Sequence, residues 1–273
     1  MIQTTISSSS FTNPGASGAT PTPHLERRTE FETLLSNYSP SLHTVSILSQ
    51  TPLVTLTAPT ATGRNTIINE LVRTGRYHFL ISDTTRPPRA NNGVLERDGV
   101  EYFFRSEADV LQDIKEGAFV EAEIIHAQQV SGTSARELER AHLEGKIAIA
   151  DVDIEGGIHL SELKPDTVTI CLLPPTFNAW ISRLTGRENI EPLNLYRRLR
   201  QATKVLRLAL EHTAFIFVVN DNLEEAVKTV DEIAKSGVHH PAAEKHARQL
   251  AQVLYDQTVA YLREHAPDMV PTV

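Results

Sequence analysis

The sequence has little cysteine, no long apolar run and no excess of basic residues, and each absence excludes a class of protein. The single cysteine, Cys171, cannot form an internal disulfide bond, so we expect a reducing compartment rather than a disulfide-stabilised scaffold. No apolar stretch approaches the roughly 18–20 residues that a membrane-spanning helix needs. Acidic residues outnumber basic ones by 34 to 26, which argues against a general nucleic-acid binder. We therefore expect a soluble, cytoplasmic protein with neither membrane nor nucleic-acid partners, and the sequence leaves its oligomeric state open.

Composition and apolar spacing divide the chain into four parts. Residues 1–24 are rich in Ser, Thr, Gly and Pro, which predicts a disordered tail. Residues 25–52 carry apolar positions at near-helical spacing and form a predicted N-terminal helical extension. Residues 53–235 form the predicted main domain. Residues 236–273 form a predicted C-terminal extension with one amphipathic helix from Pro241 to Pro267, which either packs on the domain or contacts a partner.

The main domain alternates apolar strands with helical segments. We predict strands at Leu53–Thr57, His78–Ser82, Phe119–Ile125, Ile147–Asp153, Val168–Leu173 and Phe215–Val219. Ser131 to Ser134 is predicted to be a turn that caps a helix from Ala135 to Glu144. Such alternation indicates an α/β fold with a parallel, doubly wound central sheet, which binds ligands at the carboxyl ends of its strands.

Two arginines beside a rigid proline pair suggest an anion pocket. Arg86 and Arg89 flank Pro87-Pro88, and Tyr102 follows a glycine-punctuated loop. A guanidinium presents a planar fork of donors that matches a phosphate, and the prolines reduce the entropy lost when the arginines are held still. A nucleotide phosphate is the ligand that this pattern favours. The alternative is a charged surface turn.

The first predicted strand leads into a loop of small residues and then into a helix. The loop reads A-P-T-A-T-G-R-N-T, from Ala58 to Thr66. Strand, small-residue loop and helix are the context in which backbone N–H groups and a helix N-terminus surround phosphate oxygens. The match to the phosphate-loop pattern is partial, and an ordinary strand-to-helix turn is the alternative from this motif alone.

Two acids and a run of arginines add to the candidate site. Asp151 and Asp153 stand two apart on a predicted strand, so both side chains are expected on one face, directed towards one ligand. Between the last two strands lies a helical stretch rich in arginine, which is either a solvated helix face or a mobile flap that closes on a triphosphate. Its arginines are Arg183, Arg187, Arg197, Arg198 and Arg200.

Taken in order, these short motifs resemble the guanylate kinase family from about Leu53 to Lys235. The most specific is T-T-R-P-P-R followed by D-G-V-E-Y-F-F. Further matches are G-A-F-V-E ending at Glu121, S-G-T-S at 131–134, D-V-D-I-E-G at 151–156, R-L-T-G-R at 183–187 and V-N-D-N-L at 219–223. The resemblance implies a P-loop kinase in three parts: a core, a mixed α/β GMP-binding insert at about 84–134, and a helical arginine lid at about 183–200. It also implies the reaction ATP + GMP to ADP + GDP with Mg²⁺ accompanying ATP.

The resemblance also implies roles for individual residues. Arg86, Arg89 and Tyr102 match positions that hold the phosphate of GMP, and the positions that read guanine are matched by Ser82, Glu121, Thr133 and Asp153. Asp151 matches an acid near the metal and the phosphates, and Arg183, Arg187 and Arg198 match lid arginines; with Arg64 and Arg86 these form the expected catalytic set. The expected ATP-binding set is Thr60, Thr62, Gly63, Arg64, Asn65, Thr66 and Asn220, with Asn65 also at the metal position.

Departures from the family pattern lie mainly in the phosphate loop. Ala58 and Ala61 stand where the family has glycines, and each would cost about 1–2 kcal/mol if a positive φ is required there. Arg64 and Asn65 replace the lysine and the metal-binding serine, while Ser131 replaces a second phosphate-binding tyrosine.

Two functions remain open on this basis. One is an active kinase with an eroded ATP loop, and the other is an inactive binding module that uses the GMP pocket for a ligand or a phosphorylated partner. A third possibility, a kinase of altered nucleotide preference, is compatible with the changed loop but has no positive support.

Overall fold

The computed structural model describes residues 24–91, 93–125, 127–186 and 190–271. Most of the predicted disordered tail, 1–23, lies outside the described residues, as does Arg187. The helices are α1 Arg28–Leu35, α2 Leu42–Gln50, α3 Arg64–Arg73, α4 Glu107–Lys115, α5 Ala135–Leu143, α6 Ile154–Leu163, α7 Phe177–Thr185, α8 Pro192–Glu211, α9 Leu223–Ser236 and α10 Pro241–His265, followed by a short 3-10 helix at Pro267–Met269. The strands are β1 Leu53–Thr57, β2 Tyr77–Phe79, β3 Asp83–Thr84, β4 Ala90–Asn91, β5 Val94–Leu95, β6 Phe103–Phe104, β7 Phe119–Ile125, β8 Gln129–Ser134, β9 Ile147–Asp151, β10 Val168–Leu173 and β11 Phe215–Val219.

A five-stranded parallel sheet forms the centre, in the order β11-β10-β1-β9-β2. Strand β1 is buried along its whole length because it lies in the middle of the sheet with helices on both faces. The sequence-predicted α/β class is thus confirmed. The carboxyl ends of β1, β9 and β11 therefore meet at one edge of the sheet, where ligands bind in this class of fold.

A separate mixed sheet in the order β6-β3-β8-β7 stands beside the central one. It pairs β3 with β6 in parallel and β7 with β8 in antiparallel register. The buried carboxylate of Asp83 fastens this sheet because it accepts from Arg105 at 2.8 Å and from Arg136 at 2.7 Å.

Helices from both terminal extensions cover the two sheets. Phe31 of α1 packs with α4 and β7, and Leu48 of α2 packs with α5. Helix α10 lies against α8 and β11, with Ala247, Ala251 and Leu254 buried. Packing on the domain is thus the structural role of the C-terminal helix. Among the described residues, no helix is long and apolar enough to span a membrane.

The structure corrects three local predictions. The strand predicted at His78–Ser82 is β2 Tyr77–Phe79, because its ladder with β9 spans only those residues, and Ser82 lies beyond its end. Residues 131–134 belong to strand β8 rather than to a capping turn, because they pair with β7; only Ser134 serves as a helix cap, accepting from the Arg136 N–H. Strand β9 ends at Asp151, and Asp153 caps α6 by accepting from the Gly156 N–H at 2.7 Å. The two acids therefore do not share a strand face, although both line one pocket.

Candidate functional site

The loop after β1 forms a cradle of about 330 Å³ at the N-terminus of α3. All of its lining comes from residues 58–66, so six of the seven residues predicted to bind ATP surround it. Gly63 takes a left-handed conformation with φ 92°, and Ala61 does the same with φ 67°. The backbone N–H groups at the start of a helix form a natural anion site, so the cradle can accept a phosphate group.

Neighbouring elements brace this loop from outside. The Thr60 carbonyl accepts from the Trp180 indole at 2.8 Å, and the Thr62 carbonyl accepts from the Asn220 amide at 2.6 Å. A Cβ on Gly63 would lie 2.5 Å from the Asn220 amide nitrogen, so only glycine fits there. Asn220, predicted to bind ATP, thus contacts the loop itself, and its contact with ATP stays a prediction.

Arg64 crosses from α3 to the end of β9. Its guanidinium lies 2.5 Å from the Asp151 carboxylate and donates to the Val152 carbonyl at 3.0 Å. Burial raises the pKa of Asp151, and the charge of Arg64 opposes that shift. Arg64, which the sequence assigns to the ATP phosphates, is therefore paired with Asp151, the acid assigned to the metal region.

A second pocket, of about 240 Å³, opens between the mixed sheet and the end of β9. Five of the seven residues predicted to bind GMP line it, together with Asp151 and Ser131: they are Ser82, Tyr102, Glu121, Thr133 and Asp153. We call it the acceptor pocket after the predicted GMP-binding residues. Paired strands form its floor, since Glu121 faces Thr133 in the β7–β8 register. The Glu121 carboxylate accepts from the Thr133 hydroxyl at 2.7 Å and from its N–H at 3.0 Å.

Burial controls the charge of the acids in the acceptor pocket. It raises the pKa of Glu121 above the ordinary value, while the two bonds from Thr133 act in the opposite direction. Glu123 is more exposed, and its partial desolvation, together with the charges of Asp153 and Glu121, raises its pKa to about 7. A ligand that presents N–H donors to these carboxylates would favour their ionised forms.

The two arginines predicted to hold the GMP phosphate do not line the acceptor pocket but lie beside it. Arg86 is buried and makes a two-pronged ion pair with Glu96, while its guanidinium stacks 4.7 Å from the centre of the Tyr102 ring. Arg89 donates to the Gln129 side chain at 3.2 Å, and Gln129 lines the pocket.

Sequence reasoning missed two acids of this region. Glu96 holds Arg86, and its backbone loop carries no pattern that would reveal that partner. Glu123 follows Glu121 by two positions on the same strand, so the two-residue alternation of β7 could have placed it on the pocket face.

A cleft of about 600 Å³ lies between α3 and the insert. Its walls include Asn65, Ser82, Tyr102 and Asp151, residues of both the loop and the acceptor pocket. Of the arginines predicted to form a lid, Arg183 donates to the Asn220 carbonyl at 3.1 Å, and Arg198 is exposed on α8. The donor and acceptor candidates therefore open onto common space at one edge of the sheet.

The family model for guanylate kinase matches residues 49–236. The chain belongs to the guanylate kinase family. Among curated proteins it is similar to the guanylate kinase of Corynebacterium diphtheriae, at 37% identity over 66% of this chain and 93% of that protein, and to that of Sulfurimonas denitrificans, at 33% identity over 67% and 86%.

Guanylate kinase 1 of Arabidopsis thaliana is 29% identical over 68% of this chain and 47% of its own length. Among solved structures, the guanylate kinase from Anaplasma phagocytophilum superposes with a TM-score of 0.51 at 20% identity, covering 75% of this chain and 95% of the other. That structure supports the α/β fold, a parallel five-stranded sheet with a separate mixed sheet.

Proposed function

We propose that this member of the guanylate kinase family transfers the γ-phosphoryl group of ATP to GMP. The observation that carries the proposal is the position of Asp151. This carboxylate lines the acceptor pocket and the cleft and also pairs with Arg64 of the loop, so the donor cradle and the acceptor pocket meet at one residue. Catalysis in this class depends on placing two phosphates together and stabilising the charge of the transferring group.

The acceptor pocket supports selection of guanine. Guanine offers N–H donors at N1 and N2, and the half-buried Glu121 carboxylate is an acceptor whose pKa the pocket holds above its usual range. Adenine cannot supply those donors, and the Glu121 oxygen that Thr133 does not engage would then be desolvated without them. Arg86, Arg89 and Tyr102 adjoin this pocket and would hold the GMP phosphate, and Ser82 and Asp153 would contact the base.

The donor cradle supports a phosphate held by backbone N–H groups, with Arg64 beside it. Mg²⁺ usually binds phosphate oxygens, water and one or two protein oxygens, and Asn65 and Asp151 supply such oxygens on a common cleft. These residues fit a magnesium ion that arrives with ATP, and the ion would neutralise charge on the phosphates. Arg183, Arg187 and Arg198 would add positive charge from the lid.

A catalytically inactive binding module is the second candidate. It is favoured by the ion pairs that engage the key arginines, since Arg64 is paired with Asp151 and Arg86 with Glu96. In that case the acceptor pocket would hold a nucleotide or a phosphorylated partner without turnover.

Acceptor selectivity tests the proposal. ADP release from MgATP is measured with GMP, with AMP and with neither, for the native chain and for Glu121→Gln. We expect turnover only with GMP, and a fall of about 10²-fold in kcat/KM in the variant, because the carboxamide presents an N–H to a guanine donor. GMP binding by calorimetry without ADP release would identify the binding module instead.

A further inference from the structure

A basic groove lies outside the donor and acceptor sites. It measures about 510 Å³ and is formed by α8, α10, the 3-10 helix and the residues that follow it. Four cations line it at positions i, i+3, i+7 and i+10 of α8: Arg197, Arg200, Lys204 and Arg207. At 1.5 Å per residue this stripe is about 15 Å long.

The groove is positively charged, although the net charge of the chain is -8. Within the described part of the chain, its lining contains no acidic side chain. Arg197 and Arg200 are exposed and make no ion pair with any described residue, whereas Lys204 pairs with Glu155 at 2.7 Å and Arg207 with Glu211 at 3.1 Å. Arg197 and Arg200 are thus available to a ligand, and Lys204 and Arg207 can leave their exposed carboxylate partners to bind it.

The groove shares Arg197 and Arg200 with the arginine-rich stretch of the predicted lid, but not Arg198, the lid arginine of α8 that was assigned to catalysis. Arg198 does not line it, since a residue next to Arg197 on a helix points about 100° away. Part of the wall comes from Tyr255, Met269 and Pro271, which lie beyond the 49–236 match to the guanylate kinase family. The C-terminal extension therefore completes a cavity that the family domain alone would leave open.

We propose that this basic groove binds a small polyphosphate, a run of adjacent phosphate groups that is either inorganic or carried by a nucleotide. The volume lies within the range of small-molecule sites. Guanidinium groups bind phosphate oxygens in two-pronged fashion, and cations spread over about 15 Å of helix can engage several phosphate groups of one ligand, which a single anion could not span.

Lys204 connects the basic groove to the acceptor pocket. Its partner Glu155 follows Asp153 in the first turn of α6, and the charges of both Glu155 and Lys204 act on Glu123 in the acceptor pocket. A polyphosphate that draws Lys204 away leaves Glu155 uncompensated and makes the acceptor pocket more negative. Because GMP carries a negatively charged phosphate, polyphosphate in the groove weakens GMP binding. GMP weakens polyphosphate binding by the same factor.

Binding of inorganic tripolyphosphate by calorimetry, at constant ionic strength, tests the site. Arg197→Glu/Arg200→Glu is compared with the matched control Arg28→Glu/Lys228→Glu, which reverses two exposed charges elsewhere. We expect at least a tenfold loss of affinity in the groove variant alone. Equal affinity in the two variants would overturn the proposal. Uridine triphosphate binding at the groove more tightly than tripolyphosphate would identify a nucleotide source, and the reverse order an inorganic one.

The coupling between the basic groove and the acceptor pocket rests on the proposed function and is measured separately, as a change in the Kd for GMP. Tripolyphosphate should raise the Kd for GMP at least threefold in the native chain, and this effect should vanish in the groove variant and in Glu155→Gln. An unchanged Kd would overturn the coupling while the binding result stands, and absence of GMP binding would count against the proposed function alone.

Discussion

Ala61 is the residue at which the donor loop carries backbone strain. Its φ of 67° is left-handed, a conformation that costs a residue with a Cβ about 1–2 kcal/mol. The sequence analysis allowed the same conformational cost at Ala58, but Ala58 is not among the described residues with a positive φ. Only one of the two departures from glycine is therefore strained.

Ala61→Gly should raise the free energy of unfolding by about 1 kcal/mol, because it removes that strain. Urea denaturation measures the change. Ala58→Gly is the matched control and should be neutral or destabilising, since glycine there only adds entropy to the unfolded chain. Equal effects of the two substitutions would contradict the assigned backbone strain.

The raised pKa of Glu123 predicts that its contribution to folding stability depends on pH in the opposite sense to that of a salt-bridged acid. Its pKa of about 7 in the folded chain lies above the ordinary value of 4.5, so the folded state binds more protons between those limits. Stability contributed by the neutral form is present below about pH 4.5 and is lost as the pH rises through 7.

Glu123→Gln should therefore be more stable than the native chain at pH 8 and equal to it near pH 4. Thermal midpoints across this range report the difference, with Glu224→Gln at an exposed position of α9 as the control. A difference that does not grow with pH would show that Glu123 titrates normally.

Helix α10 protects an edge of the central sheet. Strand β11 is the outer strand, and the Glu244 carboxylate accepts its Phe217 N–H at 2.9 Å. Arg248 donates to the Phe215 carbonyl at 2.9 Å and stacks on the Phe217 ring. The C-terminal extension thus satisfies backbone groups that an uncovered edge would present to other chains.

Leu254→Ala should destabilise the chain by about 2–5 kcal/mol, because Leu254 is fully buried between α10 and the sheet and leaves a cavity. Val253→Ala, at a half-exposed position one residue earlier, should change the free energy of unfolding by less than about 0.5 kcal/mol. Chemical denaturation distinguishes them. Similar losses would mean that α10 packs through a different face.

Elements with strong local signals could be predicted from the sequence, and elements defined by pairing could not. Strands β1, β7, β10 and β11 have the predicted bounds, because β1, β10 and β11 are largely apolar runs and β7 begins and ends with apolar pairs. Strand β8 was missed because S-G-T-S has the composition of a turn, and only its ladder with β7 makes it a strand. Helix α2 also depends on tertiary packing against α5.

At the scale of the molecule, the sequence predicted which residues gather at the sheet edge but not how they pair. Five of the predicted GMP residues share a pocket, as do six of the predicted ATP residues. The partners of the charged ones, Asp151 for Arg64 and Glu96 for Arg86, depend on distances that no spacing encodes. Those pairings determine which cations must be released when phosphates bind.

The combined substitution Ala61→Gly, Arg64→Lys and Asn65→Ser should raise kcat/KM for MgATP if the loop limits turnover. A lysine is a compact charge that can leave Asp151 more readily than a two-point arginine contact. A coupled ADP assay measures the gain, with Ala58→Gly as the control that leaves the charges unchanged. No gain would place the limit outside the loop.

The most direct test of phosphoryl transfer is a ³¹P NMR spectrum of the native chain with MgATP and GMP. The proposed function predicts that signals of GDP and ADP grow together in equal amounts. Saturating GMP binding with neither signal, or ADP formed without GDP, would contradict it and would leave the acceptor pocket as a binding site.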